Sequence, residues 1–370
     1  MITEDYKRSC MDVIYLASCV VKENKPDIER VEGMDLNNLY AAADRHLLTA
    51  IICISLESVG VKNDAFVQAK AKAIRKIILL DNDRNALLQK LEQNGIWYMT
   101  LKGSVLKDYY PVLGMRQMSD NDILFDASRA EDVRIIMTDL GFTTETYGTS
   151  SHDVYYKLPV SNFEMHRALF GPEHEKRLMN YYADVKSRLV KDKENDYGFH
   201  FTPEDFYIYI TAHEYKHFSL GGTGLRSFLD IYVFLKRFGN VLDWKYIGEE
   251  LDKLGLTNFE KQNRNLAQRL FNGEDLTDYD RETLDYILDS GIYGTMKHRV
   301  ENEVKKRGKI GYFFSRAFLP YRTMCIIYPV LKKVPVLLPF FWVVRWIDAL
   351  IKRPSKAFYQ VKTAINTENK

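Results

Sequence analysis

The chain contains 370 residues, of which 46% are hydrophobic and 13% aromatic, so it can form two or three globular domains with filled cores. Its four cysteines lie far apart without a C-x-x-C pair, and the N-terminus has no apolar signal core, which argues against a disulfide scaffold and predicts a cytoplasmic location. The formal net charge of +2 hides a basic end, because residues 301–370 contain 14 Lys and Arg but four acids.

Residues 1–92 are predicted to form an N-terminal helical region. Apolar residues recur at intervals of three and four between Leu47 and Leu56, which places them on one face of a helix. A longer amphipathic and charged stretch covers residues 64–92, and Asn94-Gly95 ends it. We therefore expect helices that pack through one apolar face.

A change of period marks a strand-containing core at residues 93–170. IWYMTL (96–101) and DILF (122–125) are predicted strands, and the Gly-Ser pair that follows the first of them is predicted to begin a helix. Two further segments, 154–158 and 163–170, flank a Pro-Val-Ser-Asn turn as in a hairpin. This interleaving predicts an α+β fold in which a small mixed-sheet core is flanked by helical regions.

After the core, we predict a helical domain at residues 171–300 and a basic, apolar segment at 301–370. Thr202 and Pro203 suit a helix N-cap and first turn, and GGTG ends the helix that they begin. The longest uncharged apolar run of the C-terminal segment, VPVLLPFFWVV, has eleven residues, two of them proline. Since a spanning helix needs roughly 20 residues, no transmembrane segment is predicted.

The core contains the residues best suited to chemistry. Gly103 and Ser104 follow a predicted strand and begin a helix, where backbone N–H groups can bind a phosphate. Asp120 and Asp122 are two residues apart, so on a strand both carboxylates point to the same face. Such a carboxylate pair is suited to Mg²⁺ or Mn²⁺, which prefer oxygen ligands.

A third carboxylate would complete this metal site. Glu164 and His166 share one face of a predicted strand, and Glu164 is the preferred third ligand, with Asp153 as the alternative. His166 is then either a hydrogen-bonding partner of a ligand or a packed polar residue.

Four segments follow one another in a recognisable order: LKGSVLKDYY, MRQMSDNDILF, FEMHRAL and the helical stretch 201–235. In this order they resemble the nucleotidyltransferases of the DNA polymerase beta superfamily, and most closely its branch of uncharacterised nucleotidyltransferases. The resemblance covers roughly residues 70–240.

By this resemblance, Asp120, Asp122 and Glu164 would bind two divalent ions and carry the catalysis. The nucleotide would be bound by Lys102, Gly103, Ser104 and Arg116. The implied reaction moves a nucleoside monophosphate from an NTP, with ATP as the expected donor, to an unknown hydroxyl-type acceptor and releases pyrophosphate. Asn121 departs from the family pattern, which usually has an apolar residue there. The alternative to an active enzyme is a non-catalytic binding or regulatory module with the same fold.

The stretch HEYKH fits the H-E-x-x-H zinc-binding pattern. On a helix, His213 and His217 share the apolar face, so both are predicted to point inward. Lys216 inside the motif argues against a zinc hydrolase, which is the least favoured alternative. By the resemblance, four polar residues would line the acceptor side of the cleft, or only hold two helices together: His213, His217, Arg226 and Asp230. His166 is a further candidate for the acceptor side.

The basic segment allows two interpretations. Residues 310–353 mix bulky apolar residues with cations that include Arg353, which fits either a packed helical hairpin or an anchor on anionic lipid at the inner membrane surface. In the second interpretation, four aromatic residues are predicted to enter the headgroup layer: Phe340, Phe341, Trp342 and Trp346. A lipid-linked or cell-envelope acceptor would then be expected.

Overall fold

A computed structural model describes residues 2–172, 174–292, 294–352 and 354–367, except for the side chains of 356 and 357. Arg353 therefore lies outside the described residues. The chain forms two compact units, of which the first comprises Met1–Lys216 and Gly224–Ile292 and the second His217–Thr223 and Tyr293–Lys370. The sequence-based boundaries at 92, 170 and 300 stay predictions.

Helices make up most of both units. They are α1 Glu4–Val21, α2 Ile28–Glu32, α3 Leu36–Arg45, α4 Thr49–Ser58, α5 Asp64–Gln93, α6 Gly103–Leu106, α7 Ala130–Asp139, α8 Lys176–Tyr181, α9 Pro203–Leu220, α10 Leu225–Phe238, α11 Trp244–Lys253, α12 Thr257–Asn272, α13 Asp278–Ser290, α14 Met296–Ala317, α15 Tyr321–Ile327, α16 Leu338–Lys352 and α17 Pro354–Asn366.

The first unit contains a mixed sheet, whose strands are β1 Tyr98–Thr100, β2 Asn121–Phe125, β3 Thr143–Thr146, β4 His152–Lys157, β5 Ser161–His166, β6 Val190–Lys191 and β7 Gly198–His200. Their spatial order is β3-β4-β5-β2-β1-β7-β6. Strand β2 is parallel to β5 and antiparallel to β1, and β4 and β5 form the predicted hairpin. The α+β class and the mixed sheet are thus confirmed.

The two faces of the sheet differ in chemistry because side chains alternate along each strand. Ile123 and Phe125 of β2 and Phe163 and Met165 of β5 belong to a buried apolar cluster. This cluster also contains Leu87 and Leu91 of α5 and Val133 and Met137 of α7, so these two helices cover that face. The opposite face carries the carboxylates of the site.

The second unit consists of helices α14 to α17 with the segment His217–Thr223. Helix α14 is kinked at Gly308, whose φ of 70° and ψ of 163° are not helical. Val300 and Val304 pack with Tyr312 across this kink. Within the described residues, none of the helices combines the length and hydropathy needed to cross a bilayer.

Candidate active site

Two carboxylates of the site are neighbours because strands β2 and β5 pair in parallel. Asp122 lies directly opposite Glu164 in the register, and Asp120 comes immediately before the first residue of β2. Asp122 is buried, whereas Glu164 and Asp120 are partly exposed. The pairing therefore joins carboxylates that are about forty residues apart in the chain.

Lys102 supplies a cation to these carboxylates. Its Nζ lies 2.6 Å from Oδ1 of Asp122 and 3.8 Å from Oε2 of Glu164. The residue has a φ of 47° and a ψ of −116°, a conformation that costs a non-glycine residue about 1–3 kcal/mol. Backbone strain thus accompanies the position that holds the ammonium group between two carboxylates.

The three carboxyl groups have different pKa values because their surroundings differ. Burial and the charges of Asp122 and Glu164 raise the pKa of Asp120 to about 7. Burial would also raise the pKa of Asp122, but the Lys102 ammonium and His166 hold it well below its ordinary value. The pKa of Glu164 is likewise lowered, since the hydrogen bond from His166 and the charge of Lys102 outweigh burial.

Two histidines border the same carboxylates. His166 Nε2 lies 2.9 Å from Oδ1 of Asp122 and 3.5 Å from Oε2 of Glu164, and His152 Nε2 lies 3.9 Å from Oε1 of Glu164. Among the described residues, His152, Glu164 and His166 form a group whose ligand atoms lie within 4.8 Å of one another, close enough to bind one metal ion. Burial lowers the pKa of His152, so its imidazole is neutral near pH 7.

His152 was not among the residues predicted from the sequence, in which the neighbouring Asp153 was the alternative to Glu164 as third carboxylate. His152 pairs with His166 across the hairpin, which puts both rings on the face of Glu164. Asp153 points to the other face, where it is fully buried and forms an ion pair with Arg167 at 2.8 Å. Alternation along β4 predicts that only one of the two can face the site, but the hairpin register decides which one.

Asn121 and Ser104 form a hydrogen-bonded layer behind the carboxylates. Asn121 is fully buried, donates to the carbonyl of Leu80 at 2.9 Å and accepts from Arg84 at 3.2 Å. Ser104 is also buried, and its hydroxyl donates to Oδ1 of Asn121 at 3.1 Å. In this structure the Ser104 hydroxyl therefore supports β2 through Asn121, and the phosphate-binding role expected of Ser104 stays a prediction.

Gly103 and Arg116 are in contact with one another. A Cβ on Gly103 would lie 2.6 Å from a guanidinium nitrogen of Arg116, so any larger residue here would require that side chain to shift. Arg116 forms a buried bidentate ion pair with Asp230 at 2.8 and 2.9 Å, and Tyr110 donates to the same carboxylate. Arg116 and Asp230 thus connect the segment before β2 to helix α10.

Comparison with known proteins agrees with this geometry. A family profile described as uncharacterised nucleotidyltransferase matches residues 32–272, which is well over half of the chain. The chain belongs to this nucleotidyltransferase family. Comparison with the curated proteins and with the solved structures gave no match. Membership indicates nucleotidyl transfer as the general chemistry and a nucleotide as a substrate.

The matched region of this nucleotidyltransferase includes HEYKH, and the structure corrects one prediction about it. His213 is half-buried on α9, but His217 is exposed and belongs to the second compact unit. The first half of α9 is buried on nearly every side, so an apolar stripe drawn along the helix does not identify its inner face. Among the described residues, the three-residue group with metal-binding geometry lies on strands β4 and β5 rather than on this helix.

Two cationic side chains of this nucleotidyltransferase, Arg226 and Lys76, lie near Asp120. Arg226 is half-buried and donates to the carbonyl of Gln117 at 2.9 Å, and its pKa is lowered by burial and by the charge of Arg116. Burial also lowers the pKa of Lys76, although the charge of Asp120 opposes this. Lys76 does not stand out in the sequence, because α5 contains many charged residues at solvent-facing positions.

The donor set of the nucleotidyltransferase fits a divalent metal ion. Carboxylates are the ligands that Mg²⁺ and Mn²⁺ prefer, and Mn²⁺ also accepts imidazole nitrogen. Nδ1 of His166 is buried, and no hydrogen-bond partner for it is found among the described residues. Such an atom fits an additional ligand or an ordered solvent molecule.

Proposed function

We propose that the chain transfers a nucleoside monophosphate from an NTP, with ATP as the first candidate, to a hydroxyl-type acceptor. A bond forms between the acceptor oxygen and the α-phosphorus, and the bond from that phosphorus to the bridging oxygen breaks. Pyrophosphate leaves, and the acceptor proton goes to a carboxylate of the site. The family assignment supports nucleotidyl transfer in general, and the remaining details are our proposal.

One observation supports this proposal above the others, namely the parallel pairing that sets Asp122 directly beside Glu164. Carboxylates placed this way, with Asp120 before the strand, can bind divalent ions. We propose Mg²⁺ or Mn²⁺ as the cofactor, held by these three residues. When bound, the metal would polarise the phosphates and lower the pKa of the acceptor hydroxyl.

Residues of the chain would perform the remaining tasks. Arg226 and Lys76 are cations beside Asp120 and would bind the phosphates of the NTP. Glu164 is partly exposed and would accept the proton of the acceptor hydroxyl. His152 lies 3.9 Å from Glu164 and is neutral near pH 7, so it can pass that proton to solvent.

A cytoplasmic location is also part of the proposal. The four cysteines are free and buried, which suits a reducing compartment. Burial raises the pKa of Cys10 and Cys53 to about 11, so these thiols are unreactive near neutral pH.

A thermal-shift titration with each of four NTPs, with and without Mg²⁺, would test the nucleotide site. We expect stabilisation by at least one NTP that requires the metal, about 2.7 kcal/mol at a hundred times the dissociation constant. The variant Asp120→Asn/Asp122→Asn should lose this stabilisation, whereas Asp139→Asn, which alters an exposed carboxylate of α7, should keep it. Transfer itself would be measured as pyrophosphate release from the stabilising NTP in the presence of fractionated cell extract. Absence of stabilisation by all four NTPs would refute the proposal.

A second candidate, the non-catalytic binding module, is favoured by the position of Lys102. Its ammonium lies between Asp122 and Glu164 and so already neutralises part of their charge without a metal. The variant Lys102→Ala separates the two functions. If the cation replaces a metal, the variant should bind Mg²⁺ more tightly than the wild type does. If the lysine assists transfer, the variant should retain metal binding but lose pyrophosphate release.

A further inference from the structure

The C-terminal part of the second unit exposes an unusual amount of apolar surface. Nineteen of the thirty-four exposed large hydrophobic side chains in the described residues lie between Ile310 and Ile365. Monomeric soluble proteins rarely expose large contiguous apolar patches, and those that occur mark interaction sites. This surface lies beyond the region that the nucleotidyltransferase family covers, so it needs a separate explanation.

Helix α16 has an inner and an outer apolar face. On the inner face, the indole nitrogens of Trp342 and Trp346 donate to the carbonyls of Leu319 and Ala317 at 3.0 and 2.8 Å. Phe341 packs on the same side against a small core. These three half-buried aromatic residues therefore help to hold the unit together, whereas Phe340, the fourth residue predicted to enter a headgroup layer, is exposed.

The outer face of α16 is apolar and has no such packing role. Phe340 is 60% exposed, and Leu350 and Ile351 are 64% and 72% exposed. Together with Val343 and Ile347, they follow the spacing of three and four that forms one stripe on a helix. None of the fifteen residues of α16 is fully buried, although the helix is mostly apolar.

The neighbouring helices repeat this pattern. In α14 and just after it, exposed apolar residues occur every four positions, at Ile310, Phe314 and Phe318. In α17 they occur at spacings of three and four, at Phe358, Val361 and Ile365. Each long helix of the unit after the Gly308 kink thus presents an apolar stripe.

Charge identifies the partner of this surface. Residues 301–370 carry 14 Lys and Arg against four acids, and Lys332 and Lys333 are exposed in the turns before α16. A second copy of the chain would bring the same positive charge to the interface, which disfavours self-association. An anionic bilayer supplies both the opposite charge and an apolar layer.

We propose that this unit binds the surface of an anionic membrane, with the outer face of α16 in the headgroup and acyl boundary. The helix lies in the plane of the interface, because fifteen residues are too few to span a bilayer. The lysines beside it contact lipid phosphates. This inference does not depend on the proposed transfer reaction.

Flotation of the full-length chain with lipid vesicles tests this proposal. We expect recovery with vesicles of phosphatidylcholine and phosphatidylglycerol, weak recovery with phosphatidylcholine alone, and release as salt is raised. Since each apolar side chain contributes about tenfold to partitioning, Phe340→Ser/Ile347→Ser/Leu350→Ser should abolish recovery. The control Leu158→Ser/Val241→Ser alters apolar residues of the first unit that are even more exposed, and it should float like the wild type. Lys332→Gln/Lys333→Gln should lower the partition coefficient by roughly 30-fold.

Two further measurements separate a loss of membrane binding from unfolding and from self-association. Circular dichroism should give the wild-type unfolding midpoint for the triple serine variant, because its three side chains are exposed. Size-exclusion chromatography reports self-association. The proposal would be overturned if the triple variant were recovered with vesicles as fully as the wild type. It would also be overturned if the wild type bound no vesicles, either as a monomer or as a dimer that the triple variant dissociates.

Discussion

The substitution Arg116→Met tests whether Arg116 stabilises the fold or binds the nucleotide. In the structure Arg116 is 8% exposed, Asp230 is 7% exposed, and two hydrogen bonds of 2.8 and 2.9 Å join them. Removal of one partner from a buried ion pair leaves an uncompensated charge and costs about 3–5 kcal/mol. Because Tyr110 still donates to the Asp230 carboxylate, we expect the lower end of this range, about 3 kcal/mol.

Urea unfolding followed by circular dichroism would measure this loss. The double variant Arg116→Met/Asp230→Leu should recover most of the stability, since it removes both charges together. Arg134→Met removes a solvent-exposed ion pair with Glu131 and should leave the unfolding midpoint almost unchanged. If Arg116→Met lost less than about 1 kcal/mol but bound NTP far more weakly, the structural reasoning would be refuted and Arg116 would be a nucleotide ligand.

Three other substitutions follow from the geometry of the site. Gly103→Ala places a Cβ 2.6 Å from the Arg116 guanidinium and should lower the unfolding midpoint in urea, whereas an unchanged midpoint would show that this side chain moves aside freely. Lys102→Gly should be more stable than Lys102→Ala by about 1 kcal/mol, because glycine adopts a φ of 47° without strain, and equal urea midpoints would contradict this. The pKa of Asp120 is about 7 in the folded chain against 3.8 in the unfolded chain, so ionisation of this carboxyl opposes folding. The metal-free chain should therefore lose stability as the pH rises from about 4 to 7. Asp120→Asn should flatten this part of the pH profile, and an equal slope in both proteins would refute the assignment. Mg²⁺ binding near pH 6.5 should release a proton in the wild type but not in this variant, measured by calorimetry in buffers of different ionisation enthalpy.

Local patterns in the sequence were sufficient to locate strands β1, β2, β4 and β5 of the core, but not β3. The alternation of side chains along β2 and β5 identified the faces on which Asp122 and Glu164 lie. Residue spacing alone decides which side chains of one strand share a face. The parallel pairing of these strands was not predictable in the same way, because it depends on contacts between distant segments. The register of the β4–β5 hairpin was similarly hidden, and His152 was missed for that reason.

The roles of buried polar residues were also beyond local patterns. An arginine side chain is chemically suited to bind phosphate, so the sequence does not show that Arg116 forms an ion pair with Asp230 of α10. Asn121 departs from the family pattern, yet its three hydrogen bonds explain why an amide is tolerated in a buried strand. Tertiary partners therefore decided whether these side chains support the fold or contact a ligand.

The ammonium group of Lys102 has a practical consequence for handling the protein. Because it compensates the carboxylates from within the chain, the polypeptide can fold before any metal is available. Preparation in the presence of a chelator should then yield protein with native secondary structure. Divalent ions would be needed only at the moment of use, and they could arrive as a complex with the incoming nucleotide instead of being loaded during biosynthesis.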